Sequence, residues 1–173
     1  MIRTFLKFLL LALILILIQV TVFNNICLFG VAVPMVFIYV ILRLPLTLST
    51  GWVLTVAFLM GLTVDVFSDT QGMNSLACTI LGAVRRPVLG LYFPREDELA
   101  NPEPTMVSLG VPVYVKYALS MTLIYCTLIF LIEAFSFFNI LRLVLRIIFS
   151  TILSTLLILA VDGLTTKRYA KRL

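Results

Sequence analysis

Apolar residues occur in long runs along this chain, and short polar breaks separate one run from the next. Because an α-helix needs about 20 apolar residues to cross the hydrocarbon core of a bilayer, this pattern predicts transmembrane helices. The predicted spans are residues 5–23, 27–42, 46–67, 73–91, 111–135 and 140–164. We therefore expect an all-α membrane protein, folded as one bundle of six transmembrane helices over residues 1–173.

The second predicted span is the least regular of the six. It is short and contains Gly30 and Pro34, and a proline removes a backbone donor and can kink a helix. The alternative is a five-span arrangement in which this segment re-enters the membrane from one side. The N-terminal segment has Arg3 and Lys7, then a long apolar run, and it shows no small-residue cleavage site. We therefore interpret the first span as a retained helix and not as a signal peptide.

Composition supports the membrane prediction. The chain has 173 residues, of which 62% are hydrophobic and 12% charged, and its mean hydropathy is +1.16. Soluble domains are nearer half apolar and a quarter charged. The longest polar stretch, residues 94–108, contains too few residues for a core, and we predict a cytoplasmic loop there. Residues 165–173 are predicted to be a basic cytoplasmic tail.

The basic residues orient the predicted bundle. With six spans, both termini lie on one side together with every basic residue except Arg142 and Arg146, so the positive-inside rule places both termini in the cytoplasm. The charge gives no aromatic and basic stripe of the kind that binds nucleic acid. We expect the bilayer to be the partner, with anionic headgroups contacting Arg85, Arg86, Lys167, Arg168, Lys171 and Arg172. For the tail, a cytoplasmic acidic protein is the alternative.

Polar residues cluster where the third predicted span meets the fourth: Gly61, Asp65, Asp69, Gly72 and Asn74. Carboxylates at membrane depth are costly, so they face protein or a wet cavity. Asp65 and Asp69 could form a metal or acid–base pair, but we favour a structural corner. In it, Gly72 adopts a positive φ, and Asn74 or Ser75 caps the fourth helix.

Three further charged residues are expected to approach one another near the outer face of the membrane, because the loop between the last two spans is short. Glu133 ends the fifth span, and Arg142 and Arg146 lie one turn apart on the sixth. An internal ion pair lowers the cost of burying these groups, while contact with an acidic partner helix is the alternative. Small-residue steps, among them Ser150 and Ser154, are predicted to allow close approach of helices.

The sequence contains no set of residues that predicts an enzyme. The chain has no histidine, and its three cysteines lie in apolar surroundings typical of packing residues. Asp65 and Asp162 could in principle form an intramembrane aspartyl protease pair. The predicted topology separates them by about 30 Å, the thickness of the hydrocarbon core. We therefore predict no catalytic residue, no metal and no cofactor.

Several stretches together resemble the rod-shape-determining MreD family: Gly61-Leu-Thr-Val-Asp65, Gly72-Met-Asn-Ser-Leu-Ala77, Phe93-Pro-Arg-Glu-Asp-Glu, Asn101-Pro-Glu-Pro-Thr and Leu128-Ile-Phe-Leu-Ile-Glu133-Ala-Phe-Ser-Phe-Phe. The resemblance implies a non-enzymatic, multi-pass subunit of the bacterial cell-elongation complex, or elongasome, in the inner membrane. It implies binding to the MreC membrane protein. It also implies direct or indirect work with the MreB filament and the RodA and penicillin-binding peptidoglycan synthases.

The family is also similar to the six-helix substrate-binding subunits of energy-coupling vitamin transporters. A transporter subunit is accordingly the alternative function. It needs a solute pocket, expected at the outer ends of spans three to six and lined by Asp65, Asp69, Glu133 or Arg142.

Overall fold

The computed structural model describes residues 2–23, 33–93, 103–133 and 140–170, with side chains described from residue 8 to 165 apart from residues 9, 22–32, 94–102 and 134–139. Within these ranges all regular structure is helical and no strand occurs, as predicted. The elements are α1 (Ile2–Ile18), a π-helical turn (Gln19–Phe23), α2 (Tyr39–Arg43), α3 (Thr50–Ser68), α4 (Met73–Tyr92), α5 (Met106–Leu109), α6 (Val111–Glu133) and α7 (Ile140–Ala170).

Three of the described helices are long and apolar enough to cross a membrane: Thr50–Ser68, Val111–Glu133 and the Ile140–Thr165 part of α7. A further apolar helical stretch, Leu10–Thr21, continues from α1 into the π-helical turn and is shorter. Helix α4 has 20 residues, but it carries Arg85 and Arg86 together with several polar residues near its start. The coarse prediction of a helical protein with membrane-type helices therefore holds.

The helices pack in sequence order around a short central helix. Helix α3 packs on α4, α4 on α6, and α6 on α7. Residues 37–42, which include most of α2, are at most 2% exposed and form the middle of the core. The faces of α1, α3 and α7 that point away from the core expose large apolar side chains. Such faces suit helices that contact lipid.

The described part of the second predicted span is not a continuous helix. Residues 27–32 lie outside the described residues, residues 33–36 have no regular secondary structure, and α2 has only five residues. Pro34 contributes to this interruption of the helix, because the residue before a proline is sterically biased away from the helical region. Whether this segment crosses the membrane stays a prediction.

Most of the loop, and the basic side chains of the tail, lie beyond what the structure describes. Residues 94–102 of the predicted cytoplasmic loop are not described, and the remainder of the loop leads into α5. In the tail, residues 171–173 are not described, and neither are the side chains of Lys167 and Arg168. The predicted headgroup contacts of the tail therefore stay predictions.

Candidate functional site

The corner between α3 and α4 contains two residues with positive φ. Asp69 follows α3 with φ 53°, and its backbone N–H donates to the carbonyl oxygen of Asp65. Gly72 precedes α4 with φ 78°, which glycine adopts without steric cost. The predicted left-handed turn at Gly72 is therefore present, and the chain reverses direction within four residues.

The carboxylate of Asp65 is the centre of this corner. Its Oδ1 accepts hydrogen bonds from the Thr70 hydroxyl at 2.5 Å, the Asn74 backbone N–H at 3.0 Å and the Asn74 side-chain amide at 3.0 Å. Its Oδ2 accepts from the Ser75 backbone N–H at 2.8 Å and the Ser75 hydroxyl at 2.5 Å. Asp65 is only 4% exposed, and these donors occupy the acceptor sites of a carboxylate.

Asp65 therefore does the capping that we had assigned to Asn74 or Ser75. The first N–H groups of a helix have no partner within it, and a side-chain oxygen commonly accepts from them. Here that oxygen comes from the preceding helix and not from the N-cap residue, Gly72, which makes no side-chain cap bond. We call the group of Asp65, Thr70, Gly72, Asn74 and Ser75 the Asp65 corner.

Close packing and one tyrosine fix the Asp65 corner to its surroundings. A Cβ added at Gly61 would lie 2.6 Å from the carbonyl oxygen of Asn74 and from the Cα of Ser75. Only glycine therefore allows α3 to approach the start of α4 this closely. The Tyr125 hydroxyl of α6 donates to Asn74 Oδ1 at 2.6 Å, which ties the corner to a third helix.

Asp69 does not join Asp65 in an acid–base or metal pair. Its side chain is exposed, whereas Asp65 is buried and already accepts five hydrogen bonds. Among the described residues no group of three or more histidine, cysteine, aspartate or glutamate residues is placed to hold a metal ion. The Asp65 corner is consequently a structural arrangement of buried hydrogen bonds.

A second buried polar cluster was not predicted. The Tyr39 hydroxyl donates to Asp162 Oδ1 at 3.0 Å and accepts from the Arg43 guanidinium at 2.8 Å. Arg43 also forms an ion pair with Glu103 at 3.2 Å, and the Met106 backbone N–H donates to Asp162 Oδ2 at 3.0 Å. Since Glu103 and Met106 lie three residues apart, the contacts close on themselves, and we call this group the Asp162 ring.

Electrostatics favour a charged arginine in the Asp162 ring. Burial lowers the pKa of the Arg43 guanidinium, but its contacts with Tyr39 and Glu103 raise it, and the net shift is upward. The sequence signal was the spacing of Tyr39 and Arg43, one helical turn apart. Nothing in that spacing points to Asp162, which is 123 residues from Tyr39.

Asp65 and Asp162 have no hydrogen-bond partner in common, and their partners contact different turns of α4. Asp65 binds the start of α4 through Asn74 and Ser75, while Arg85, 11 residues beyond Asn74, contacts the backbone on either side of Arg43. Eleven helical residues extend about 16 Å. The two carboxylates therefore do not form a protease-type pair.

The predicted headgroup contact of Arg85 is corrected by the structure, whereas that of the half-buried Arg86 stays a prediction. Arg85 is 1% exposed and donates to the carbonyl oxygens of Leu42 and Leu44. Arg86 donates to those of Leu46 and Leu48, each at 2.8 Å. The physical reason is that the turn after α2 leaves carbonyl groups without helical partners, and the two guanidinium groups satisfy them.

Of the three charged residues predicted to meet between α6 and α7, the structure brings two together. Arg146 lies 3.0 Å from Glu133 and 4.6 Å above the ring of Phe130. Arg142 is exposed and has no carboxylate partner among the described residues. The internal pair is therefore Glu133 with Arg146, and its side chains are partly exposed.

Three buried side chains hold the non-helical residues 33–36. Gln19 accepts from the Val36 N–H and donates to the Pro34 carbonyl oxygen, both at 2.9 Å. Ser150 and Ser154 of α7 accept from the N–H groups of Val33 at 3.0 Å and Met35 at 2.8 Å. The predicted small-residue step of α7 thus binds non-helical backbone, and we call this arrangement the serine clamp.

Comparison of the chain with protein-family models, curated proteins and solved structures gives no match. The fold and the polar clusters define the class as an all-helical protein with membrane-type helices.

Proposed function

We propose that this chain is a non-enzymatic inner-membrane subunit of the bacterial cell-elongation machinery, resembling the MreD family. In this proposal it binds an MreC-type membrane protein and helps to organise peptidoglycan synthases and the MreB filament. Six transmembrane helices, with both termini in the cytoplasm, belong to the same proposal. Its sequence basis is the resemblance at Gly61–Asp65, Gly72–Ala77 and the neighbouring stretches.

The proposal that the chain is not an enzyme is supported by the hydrogen bonds that occupy both carboxylate oxygens of Asp65. A carboxylate that acts as an acid, a base or a nucleophile must have an oxygen within reach of substrate. Both oxygens of Asp65 instead accept hydrogen bonds from Thr70, Asn74 and Ser75 at 2.5 to 3.0 Å. The motif that resembles the family is therefore suited to shaping a bundle, which is what a scaffold requires.

The outward faces supply the surface for partners in this proposal. Helix α3 exposes Phe58, Leu62 and Phe67, and α7 exposes Phe149 and Leu156. In a bilayer such faces meet either lipid or other transmembrane helices, and helix association there depends on shape and small polar contacts.

The test is depletion and cross-linking in a rod-shaped bacterium that carries this chain. A photoreactive residue is placed singly at Phe58, Leu62, Phe149 or Leu156, with the buried Ala57 as the matched internal position. We expect depletion to round the cells, and at least one outward position to cross-link an MreC-type protein while Ala57 does not. Normal rods after depletion, together with no cross-link to a wall-synthesis protein, contradict the proposal.

One observation favours the substrate-binding subunit of a small-solute transporter as a second candidate. Non-helical backbone at membrane depth occurs where it is buried in protein or lines a cavity, and transporters use interrupted helices to bind their solutes. Residues 33–36, held by the serine clamp, are such an interruption.

Thermal unfolding of the purified chain with a panel of vitamin-type solutes separates the two functions. The transporter function predicts a raised Tm with one solute and loss of that shift when Ser150→Ala and Ser154→Ala are combined. The scaffold function predicts an unchanged Tm with every solute and recovery of the MreC-type partner.

A further inference from the structure

Residues 103–110 are attached to the bundle at two points by side chains of other elements. The carboxylate of Glu103 pairs with Arg43, and the backbone N–H of Met106 donates to Asp162. Both attachments meet at the Tyr39 hydroxyl, which contacts Arg43 at 2.8 Å and Asp162 at 3.0 Å. The side chain of Tyr39 therefore connects the two residues, Arg43 and Asp162, that attach residues 103–110 to the bundle.

The segment is also a compact unit in itself. Thr105 caps α5 by accepting from the Ser108 N–H at 3.2 Å, and the Ser108 hydroxyl accepts from the Thr105 N–H at 2.8 Å. The Ser108 hydroxyl also contacts the Glu103 carbonyl oxygen at 2.8 Å. Gly110 follows α5 with φ 80°, a conformation that glycine adopts at no steric cost. The segment thus has internal bonds that do not depend on the bundle, and a permissive residue at one end.

We propose that residues 103–110 form a strap that closes this end of the bundle, fastened by Arg43 and Asp162 and able to swing at Gly110. In the closed state, Leu109 is 6% exposed and Asp162 is 0% exposed. In the open state, the strap leaves with its own bonds intact, Leu109 becomes accessible, and Tyr39 remains as the partner of Asp162.

The two fastenings differ in how readily water replaces them. The Glu103 side chain is 25% exposed, so solvent competes with its ion pair to Arg43. The Met106 N–H meets a buried carboxylate, where a lost hydrogen bond is more costly. Opening therefore begins with loss of the Glu103–Arg43 ion pair, while the hydrogen bond from Met106 to Asp162 still holds the strap. Because Arg43 and Asp162 both contact the Tyr39 hydroxyl, we expect the two fastenings to be coupled.

The strap is tested with Leu109→Cys in the full-length chain, by the rate at which a maleimide labels the new thiol. The rate is corrected for the parent chain, whose described cysteines, Cys78 and Cys126, are buried. We expect Glu103→Ala to raise the rate about tenfold, because it removes a hydrogen bond between charged groups. Tyr39→Phe is also expected to raise it, since Arg43 and Asp162 lose the hydroxyl that both of them contact, at nearly constant side-chain volume. Glu133→Gln is the matched control, which alters an ion pair elsewhere and is expected to leave the rate unchanged.

The double variant Tyr39→Phe with Glu103→Ala tests the coupling. A strap fastened through one network predicts an increase clearly smaller than the product of the single increases. Rates that multiply, or rates equal to that of the parent in both single variants, overturn the proposal. Hydrogen exchange at the Met106 amide of chains with the native Leu109 is the second measurement. Faster exchange in the same variants supports the strap, and unchanged exchange overturns it, even if Leu109→Cys perturbs folding.

Discussion

Asp65 and Asp162 are both buried carboxylates near the ends of membrane-type helices, but their hydrogen bonds come from different distances along the chain. Every donor to Asp65 lies within 10 residues. The donors to Asp162 are Tyr39 and Met106, which are 123 and 56 residues away. The Asp65 corner thus holds two consecutive helices together, and the Asp162 ring joins three separate parts of the chain.

This difference has an energetic consequence. The Asp65 corner forms as soon as α3 and α4 pair, because little chain has to be ordered between donor and acceptor. The Asp162 ring forms only when α2, α7 and the segment before α5 are all in place. We therefore expect the first cluster to determine the stability of one helical hairpin, and the second to report on closure of the whole bundle.

The largest effect is expected from Asp65→Ala, which leaves the donors of Thr70, Asn74 and Ser75 without their acceptor. Buried groups without partners are costly, and we expect a loss of about 4 kcal/mol in the free energy of unfolding. Reversible chemical unfolding in detergent micelles measures it. Asp69→Asn is the control, since Asp69 is exposed and asparagine tolerates its left-handed backbone. A smaller loss for Asp65→Ala than for Asp69→Asn contradicts the structural role.

The next effect is expected from Gly61→Ala, which places a Cβ 2.6 Å from backbone atoms of Asn74 and Ser75. Backbone atoms cannot move aside as a flexible side chain can, so α3 and α4 are forced apart at a cost of about 3 kcal/mol. Gly51→Ala, on the same helix with no atom within 4 Å, is expected to be neutral or slightly stabilising. Equal unfolding curves for the two variants rule out close packing at the Asp65 corner.

A moderate effect is expected from removing both hydroxyls of the serine clamp. Combining Ser150→Ala with Ser154→Ala deprives the N–H groups of Val33 and Met35 of their acceptors, at a cost of about 2 kcal/mol. Thr63→Val is the control, because Thr63 is exposed and bonds only within its own helix. Since the clamp spans 117 residues or more, its loss is expected to loosen α1 and α2 and to spare the Asp65 corner.

The smallest effect is expected from Glu133→Gln, which weakens the ion pair with Arg146. The two side chains are 44% and 32% exposed, and pairs of this kind contribute less than about 1 kcal/mol. Thermal unfolding in detergent checks this, with Arg142→Gln as the control on the same helix. A shift in Tm as large as that of Asp65→Ala would show that the outer pair, and not the buried carboxylates, holds the bundle.

The predictability of each region follows the same division between local and distant contacts. Helical structure, membrane-type helices and the left-handed turn at Gly72 were predicted, because hydrophobic runs and turn residues are local signals. The capping of α4 by Asp65 was missed: Asn74 or Ser75 was predicted to supply the cap, whereas the acceptor lies one helix earlier. Asp65 was nevertheless predicted to belong to this corner, 9 and 10 residues before the N–H groups that it accepts from.

The Asp162 ring and the buried position of Arg85 could not be predicted. Arg85 resembles an interfacial arginine in sequence, since it follows an apolar run and precedes Arg86 and Pro87. Its burial depends on the carbonyl groups of Leu42 and Leu44, which become available only because α2 is short. Contacts over such distances depend on the tertiary arrangement and leave no periodic signal in the sequence.

Hydrogen exchange in Asp65→Ala and Asp162→Ala tests the central claim most directly, namely that the two carboxylates stabilise different regions of the bundle, one through local and one through distant contacts. We predict that Asp65→Ala accelerates exchange at the amides of Asn74 and Ser75 while Met106 stays protected. Asp162→Ala is predicted to accelerate exchange at Met106 and to spare Asn74 and Ser75. Protection that is unchanged in both variants, or lost in both regions in each, contradicts this account.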